Sequence, residues 1–135
     1  ESGLLGVSGL SADMRDLLEH EATNPHAAEA IALFCSLARK HLCALTAPLE
    51  GLDTLVFTGG IGEHAAPIRA RICEGLAYLG IQIDSRRNAV HAPVISTEGA
   101  PVTVRVLRTD EDMMIARHTL DTLTKKPELQ TQPIR

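Results

Sequence analysis

The sequence predicts an α/β domain with a mixed sheet flanked by helices, and three observations carry that prediction. The run Asp53-Thr54-Leu55-Val56-Phe57-Thr58 is short, apolar and ended by Gly59-Gly60, the pattern of a central strand buried on both faces. Val102, Val104 and Val106 alternate with Thr103 and Arg105, which marks a second, half-buried strand. Between and around these runs lie stretches with helical apolar spacing, and strands alternating with helices imply an α/β architecture.

Each element follows in order. Glu1 to Gly9, rich in Gly and Ser, reads as a loop or short strand. Ser11 reads as the N-cap of a helix reaching about Glu21, with Asp13 in its first turn. Asn24-Pro25 restarts a helix, Asn as cap and Pro at the first helical position. Ile31, Phe34, Cys35, Ala38, Leu42 and Leu45 keep helical spacing, so one face is predicted to be buried until Pro48 and Gly51 end the helix. A further helix is predicted from Ala65 to Leu79, with Ile68, Ile72, Leu76 and Leu79 inward and Gly80 closing it. Ile81-Gln82-Ile83 reads as a short strand, and residues 85–99 as loop with one more strand at Val94-Ile95. The last predicted helix spans Asp110 to Thr124. The domain is thus expected over residues 1–124, with 125–135, which carry two prolines, as a loose tail.

Composition excludes several functions. With 13 Lys and Arg against 17 Asp and Glu, the net charge of −4 gives no electrostatic footprint for nucleic acid. Aromatic residues make up 2% of the chain, so stacking platforms for single strands are lacking too. Cys35, Cys43 and Cys73 show no C-x-x-C spacing and suit a reducing cytoplasm, the expected location. The longest apolar helical run, Ala27 to Ala47, is interrupted by Glu29, Arg39, Lys40 and His41, so no membrane role is expected. The chain opens Glu1-Ser2-Gly3 with neither methionine nor a signal-peptide pattern, and a fragment or processed product is the expectation.

Three stretches could carry chemistry. Leu55 to His64 is a strand, three glycines in four positions, then a helix. Ligands of open α/β sheets sit at the carboxyl ends of strands, and glycines let backbone approach a phosphate without a Cβ in the way. It is neither a Walker A loop nor the dinucleotide fingerprint, and a plain tight turn is the competing reading. Arg108-Thr109-Asp110-Glu111-Asp112 sits at another strand-to-helix junction. Its carboxylates could hold Mg²⁺, or Thr109 and Asp112 could simply form a capping box. Ser11 to Asp16 mixes acid, base and thioether at a helix start. Arg15 there could pair with phosphate, though a solvated helical face is the commoner outcome.

The order of these stretches resembles the acetate kinase family. Gly3-Leu4-Leu5-Gly6-Val7-Ser8-Gly9, followed by Ser11-Ala12-Asp13-Met14-Arg15-Asp16, is similar to one block of that family. Val56-Phe57-Thr58-Gly59-Gly60-Ile61-Gly62-Glu63 leading into Ile68-Arg69 is similar to another. Cys73 to Ile81 and Thr109 to Arg117 supply two more, in the same order, so the resemblance runs from about Gly3 to Thr119.

The resemblance implies a ribonuclease H-like domain of the superfamily of acetate and sugar kinases, actin and heat-shock chaperone ATPases. It implies ATP-dependent, reversible phosphorylation of acetate to acetyl phosphate with ADP as product and Mg²⁺ as cofactor. This chain would be the C-terminal, nucleotide-binding half. Asp13, Met14 and Arg15 would line the adenosine pocket, Gly59, Gly60, Ile61, Gly62, Glu63 and His64 would lie along the nucleotide, and Glu111 would help hold the metal. The acetate pocket and the catalytic residues would lie outside this chain, leaving it inactive alone. A homodimer is implied, with the second apolar stripe of the Asn24–Ala47 helix at its interface. Propionate or butyrate kinase is the alternative within the class, and a non-catalytic dimerisation module is the alternative outside it. Two positions depart from the family pattern. Met14 replaces a common aromatic, which predicts a softer surface with less stacking for the base. His64 replaces the usual asparagine, which puts that contact in doubt and could add pH sensitivity.

Overall fold

The computed structural model describes residues 3–109, 119, 120 and 122. In chain order the elements are α1 (Gly3–Ser8), α2 (Met14–His20), α3 (Pro25–Thr46), β1 (Thr54–Phe57), α4 (Gly59–His64) and α5 (Ala66–Cys73). A 3₁₀ turn (Ala77–Leu79), α6 (Ser85–Ala89) and β2 (Thr103–Val106) follow. The predicted α/β character holds. β1 and β2 pair in parallel, Thr54 opposite Thr103 through Phe57 opposite Val106. An antiparallel bridge from Val94 to Arg105 lies beside them, and another joins Ile83 to Ser96. The two short strands expected at Ile81–Ile83 and Val94–Ile95 are therefore single bridges.

Several boundaries moved, each for a local reason. Residues 3–8 are helical rather than loop or strand, because α1 packs along α3 and gains there what its glycines lack in propensity. The cap of α2 is Asp13, not Ser11. Asp13 takes extended backbone angles and its side chain accepts from the Arg15 N–H at 2.8 Å. Ser11 instead donates its hydroxyl to Asp16 at 2.8 Å. The α3 start is as predicted, with Asn24 accepting from the N–H groups of His26 and Ala27 and Pro25 inside the first turn. Leu45, expected inward, is 58% exposed. The helix predicted to Leu79 stops at Cys73, because Gly75 follows in a left-handed conformation at φ +78°. Gly80 does close the 3₁₀ turn as a left-handed cap. α6, read as loop, starts on an Asp84 cap that accepts from Arg87 N–H. β1 is not buried on both faces: Leu55 and Phe57 are half-buried while Val56 is exposed. The helix predicted for Asp110–Thr124 and the tail at 125–135 fall largely outside the described residues; Thr119, Leu120 and Thr122 are helical.

Apolar burial falls into two clusters. One joins the helices through Met14, Leu17, Ile31, Cys35, Ile68 and Ile72. The other joins the strand region through Cys73, Leu76, Ile81, Ile95, Val102 and Val104. Phe57, the last residue of β1, packs against both. The glycine loop therefore leaves the strand at the seam of the two cores, and its root is held from both sides.

Candidate functional site

A cleft of about 540 Å³ opens beside that seam. One wall is the start of α2, with Asp13, Met14 and Arg15; the other is the glycine loop, with Gly60, Ile61 and His64. Leu18, Ala65 and Pro67 complete an apolar lining. Two predicted stretches nearly fifty residues apart thus meet across one space. They meet because Leu17 of α2 and Ile68 of α5 are buried in the same cluster, which brings the α2 N-terminus up to the loop that precedes α5. Asp13 and Arg15 are exposed at the mouth. Met14, 3% exposed, is fixed in the helical core and contributes to the cleft wall from there.

The three glycines of the loop are glycines for three different reasons. Gly59 sits at φ +72°, a left-handed conformation that a Cβ disfavours. At Gly62 an added Cβ would stand 3.2 Å from the carbonyl carbon of Phe57, so this glycine lets α4 lie against the strand it has just left. At Gly60 neither reason applies: its φ is ordinary for an L-residue and nothing lies within 4 Å of an added Cβ. Gly60 faces the cleft, and the space beside it is available to a ligand.

Glu63, expected along the nucleotide, turns the other way. Its Oε1 accepts from the Thr109 N–H at 2.7 Å and from the Gly59 N–H at 3.1 Å. The Thr109 hydroxyl oxygen also accepts from Gly59 N–H at 3.0 Å and is hydrogen-bonded to the Thr58 hydroxyl. The Thr109 N–H is the main reason the Glu63 carboxyl is held below its ordinary value. Gly59 and Glu63 are not among the residues lining the cleft. Thr109 is thereby engaged with the glycine loop, and the capping box proposed for it with Asp112 lies partly outside the described residues. Glu111, the expected metal carboxylate, also lies outside them.

Arg69 is the residue sequence reasoning passed over. It is fully buried, no carboxylate pairs with it among the described residues, and its guanidinium donates mainly to carbonyl oxygens. Nη1 donates to the carbonyls of Gly62 (2.8 Å) and Glu63 (2.9 Å). Nε donates to Asn88 Oδ1 and Nη2 to the Asn88 carbonyl, both at 2.8 Å, and Nη2 also meets His91 Nδ1 at 3.1 Å. Burial lowers its pKa, yet a guanidinium titrates so high that it stays charged. The loop's last carbonyls are thus anchored to α5 and α6. One signal was available: Arg69 interrupts an otherwise apolar inward pattern of Ile68, Ile72 and Cys73.

Among the described residues no group of three or more His, Cys, Asp or Glu is placed to hold a metal ion, and no helix is long and apolar enough to cross a membrane. Cys73 is buried, its thiol pushed up to about 12 mainly by desolvation.

Known proteins resemble this chain over most of its length. The acetokinase family model matches residues 1–117. An acetate kinase of Rhodopseudomonas palustris (strain TIE-1) is 54% identical over 120 residues, covering 87% of this chain and 30% of that protein. A propionate kinase of Escherichia fergusonii is 45% identical over 131 residues, covering 96% of this chain and 32% of the relative. The crystal structure of Porphyromonas gingivalis acetate kinase superposes with a TM-score of 0.81 at 38% identity, over 90% of this chain and 32% of that one. The chain therefore spans about a third of the length of these relatives. A match over residues 1–117, together with a shared fold, shows that the chain belongs to the acetokinase family.

Proposed function

We propose that the cleft between α2 and the glycine loop binds ATP or ADP, and that the complete enzyme transfers a phosphoryl group reversibly between ATP and acetate. The observation that carries this reading is the convergence of Asp13-Met14-Arg15 with Gly60-Ile61-His64 on one cleft, with Gly60 open to it. The apolar surface of Met14, Ile61 and Pro67 suits a base, and the exposed Arg15 offers a fork of donors to ribose or phosphate oxygens. Gly60 leaves room for the phosphate chain. Asp13 already caps α2, so its part is to hold Arg15 at the cleft mouth as well as to meet the ligand.

Mg²⁺, when bound, would neutralise charge on the phosphates. Glu111 is the residue that would hold it, with substrate oxygens and water completing its shell. Phosphoryl transfer is positioning plus charge stabilisation around in-line oxygens. Among the described residues no carboxylate pocket stands beside this cleft, and our reading is that the acyl substrate is held by a part of the complete enzyme outside this chain. We accordingly read the chain as the nucleotide side of a ribonuclease H-like, cytoplasmic kinase and as inactive alone. Propionate is the second acyl substrate to test, since a propionate kinase is among the relatives at 45% identity. The row Leu33, Leu37 and Leu45 of α3, each more than 40% exposed, supports a homodimer through that helix.

The experiment is a hydroxamate assay with ATP and Mg²⁺ on the full-length enzyme and on this chain, with acetate and propionate in turn, and with a Gly60→Val variant of the full-length enzyme. The full-length enzyme should turn over and the isolated chain should not. Gly60→Val should raise the KM for ATP by on the order of tenfold or more while the protein stays folded. Normal ATP kinetics in a folded Gly60→Val variant would rule out this cleft as the nucleotide site.

A further inference from the structure

We infer that Glu63 is a positioning residue: its carboxylate clasps the glycine loop to the end of β2 and so sets the distance between the nucleotide and the segment that leaves β2 at Thr109. The inference rests on the reading of the cleft as a nucleotide site, but assigns Glu63 a place away from the ligand. Four residues from three points of the chain meet here. Thr58 follows β1, Gly59 and Glu63 belong to the loop, and Thr109 lies some fifty residues on. A single oxygen, Glu63 Oε1, accepts from both Gly59 and Thr109, and the Thr109 hydroxyl accepts from Gly59 as well. The β1–β2 ladder itself ends lower down, with Leu107 N–H donating to the Phe57 carbonyl at 2.9 Å. Beyond Leu107 this clasp is what binds the exit of β2 to the loop, among the described residues. Thr109 stands two positions before Glu111, the residue proposed above for the metal, so the clasp fixes the chain two positions ahead of it, and a shift of about an ångström at Thr109 would loosen that anchor. Misplacement of that size costs on the order of a hundredfold in positioned catalysis.

The test compares Glu63→Ala, Glu63→Gln and Thr109→Val in the full-length enzyme by amide hydrogen exchange and by steady-state kinetics. In Glu63→Ala the amides of Gly59 and Thr109 should lose protection, while the Thr103 amide, which donates to Asp53 O at 2.9 Å, keeps its own. The ATP KM and the Mg²⁺ concentration for half-maximal rate should rise about tenfold or more, with the acetate KM unmoved. Glu63→Gln keeps an acceptor at the same oxygen and should restore both readouts. Thr109→Val, which removes only the hydroxyl, should shift them in the same direction and serves if Glu63→Ala fails to fold. Unchanged exchange at Thr109, or lost protection with unchanged ATP and Mg²⁺ dependence, overturns the inference. Absence of any phosphotransfer in the unmodified enzyme overturns the nucleotide reading instead, and exchange alone then decides whether the clasp exists.

Discussion

The two sides of the glycine loop are built on opposite principles. On the cleft side Gly60 and His64 are exposed, and a Cβ added at Gly60 would meet nothing within 4 Å. On the inner side Gly59, Gly62, Glu63 and the carbonyls of residues 62 and 63 are all engaged, by Thr109, by the Phe57 backbone and by Arg69. The contrast shows how a six-residue helical turn with poor intrinsic propensity can present a defined surface: its rigidity comes from behind. A loop that is glycine-rich on both sides for the sake of flexibility would lack such anchors.

The comparison breaks most visibly at Arg69. Replacing it with Met would take one donor each from Asn88 Oδ1 and from the carbonyls of Gly62, Glu63 and Asn88, of which Asn88 O keeps the His91 N–H and Glu63 O keeps His91 Nδ1 in reach, a loss on the order of 3 kcal/mol. Lys, with three donors in place of a five-donor fork, should recover only part of that. Urea unfolding of the full-length protein measures it, and a loss below about 1 kcal/mol would mean that the loop does not depend on this anchor.

A smaller and sharper contrast comes from placing alanine at the two faces. Gly62→Ala gains helix propensity of about 1 kcal/mol but drives a Cβ to 3.2 Å from strand backbone that cannot easily give. Overpacking of that kind costs about 1–3 kcal/mol, so the net effect should be destabilising. Gly60→Ala meets nothing within 4 Å and should be neutral or stabilising by up to about 1 kcal/mol. Thermal unfolding of the pair settles the order; equal midpoints would erase the distinction between the faces.

The smallest expected effect is on pH dependence. Glu63 has its pKa lowered from an ordinary value of 4.5, chiefly by the Thr109 N–H. A depressed folded-state value means that its contribution is fully present above the unfolded value and is lost as pH falls through the folded one. Stability should therefore decline below about pH 4.5 more steeply in the wild type than in Glu63→Gln, whose amide keeps its acceptor at every pH. Parallel stability curves between pH 3 and 6 would show that the carboxylate is not held by this contact.

Much of this protein was determined by local sequence. Asn24-Pro25 starts α3 because the cap and the fixed proline φ act within one turn. Val102, Val104 and Val106 mark β2 by a period that needs no partner to be read. Gly80 closes its turn because a left-handed cap admits glycine most readily. The pairing of the Asp13–Arg15 and Gly60–His64 stretches was available only through resemblance to a family, and local periodicity said nothing of it. Tertiary structure decided the rest. The helical state of residues 3–8 and the exposure of Val56 follow from how neighbouring elements pack. The role of Glu63 and that of Arg69 were decided there too. Their partners lie 46 and 19 residues away, and a hydrogen bond closed across such a span leaves no periodic trace in the sequence between its ends.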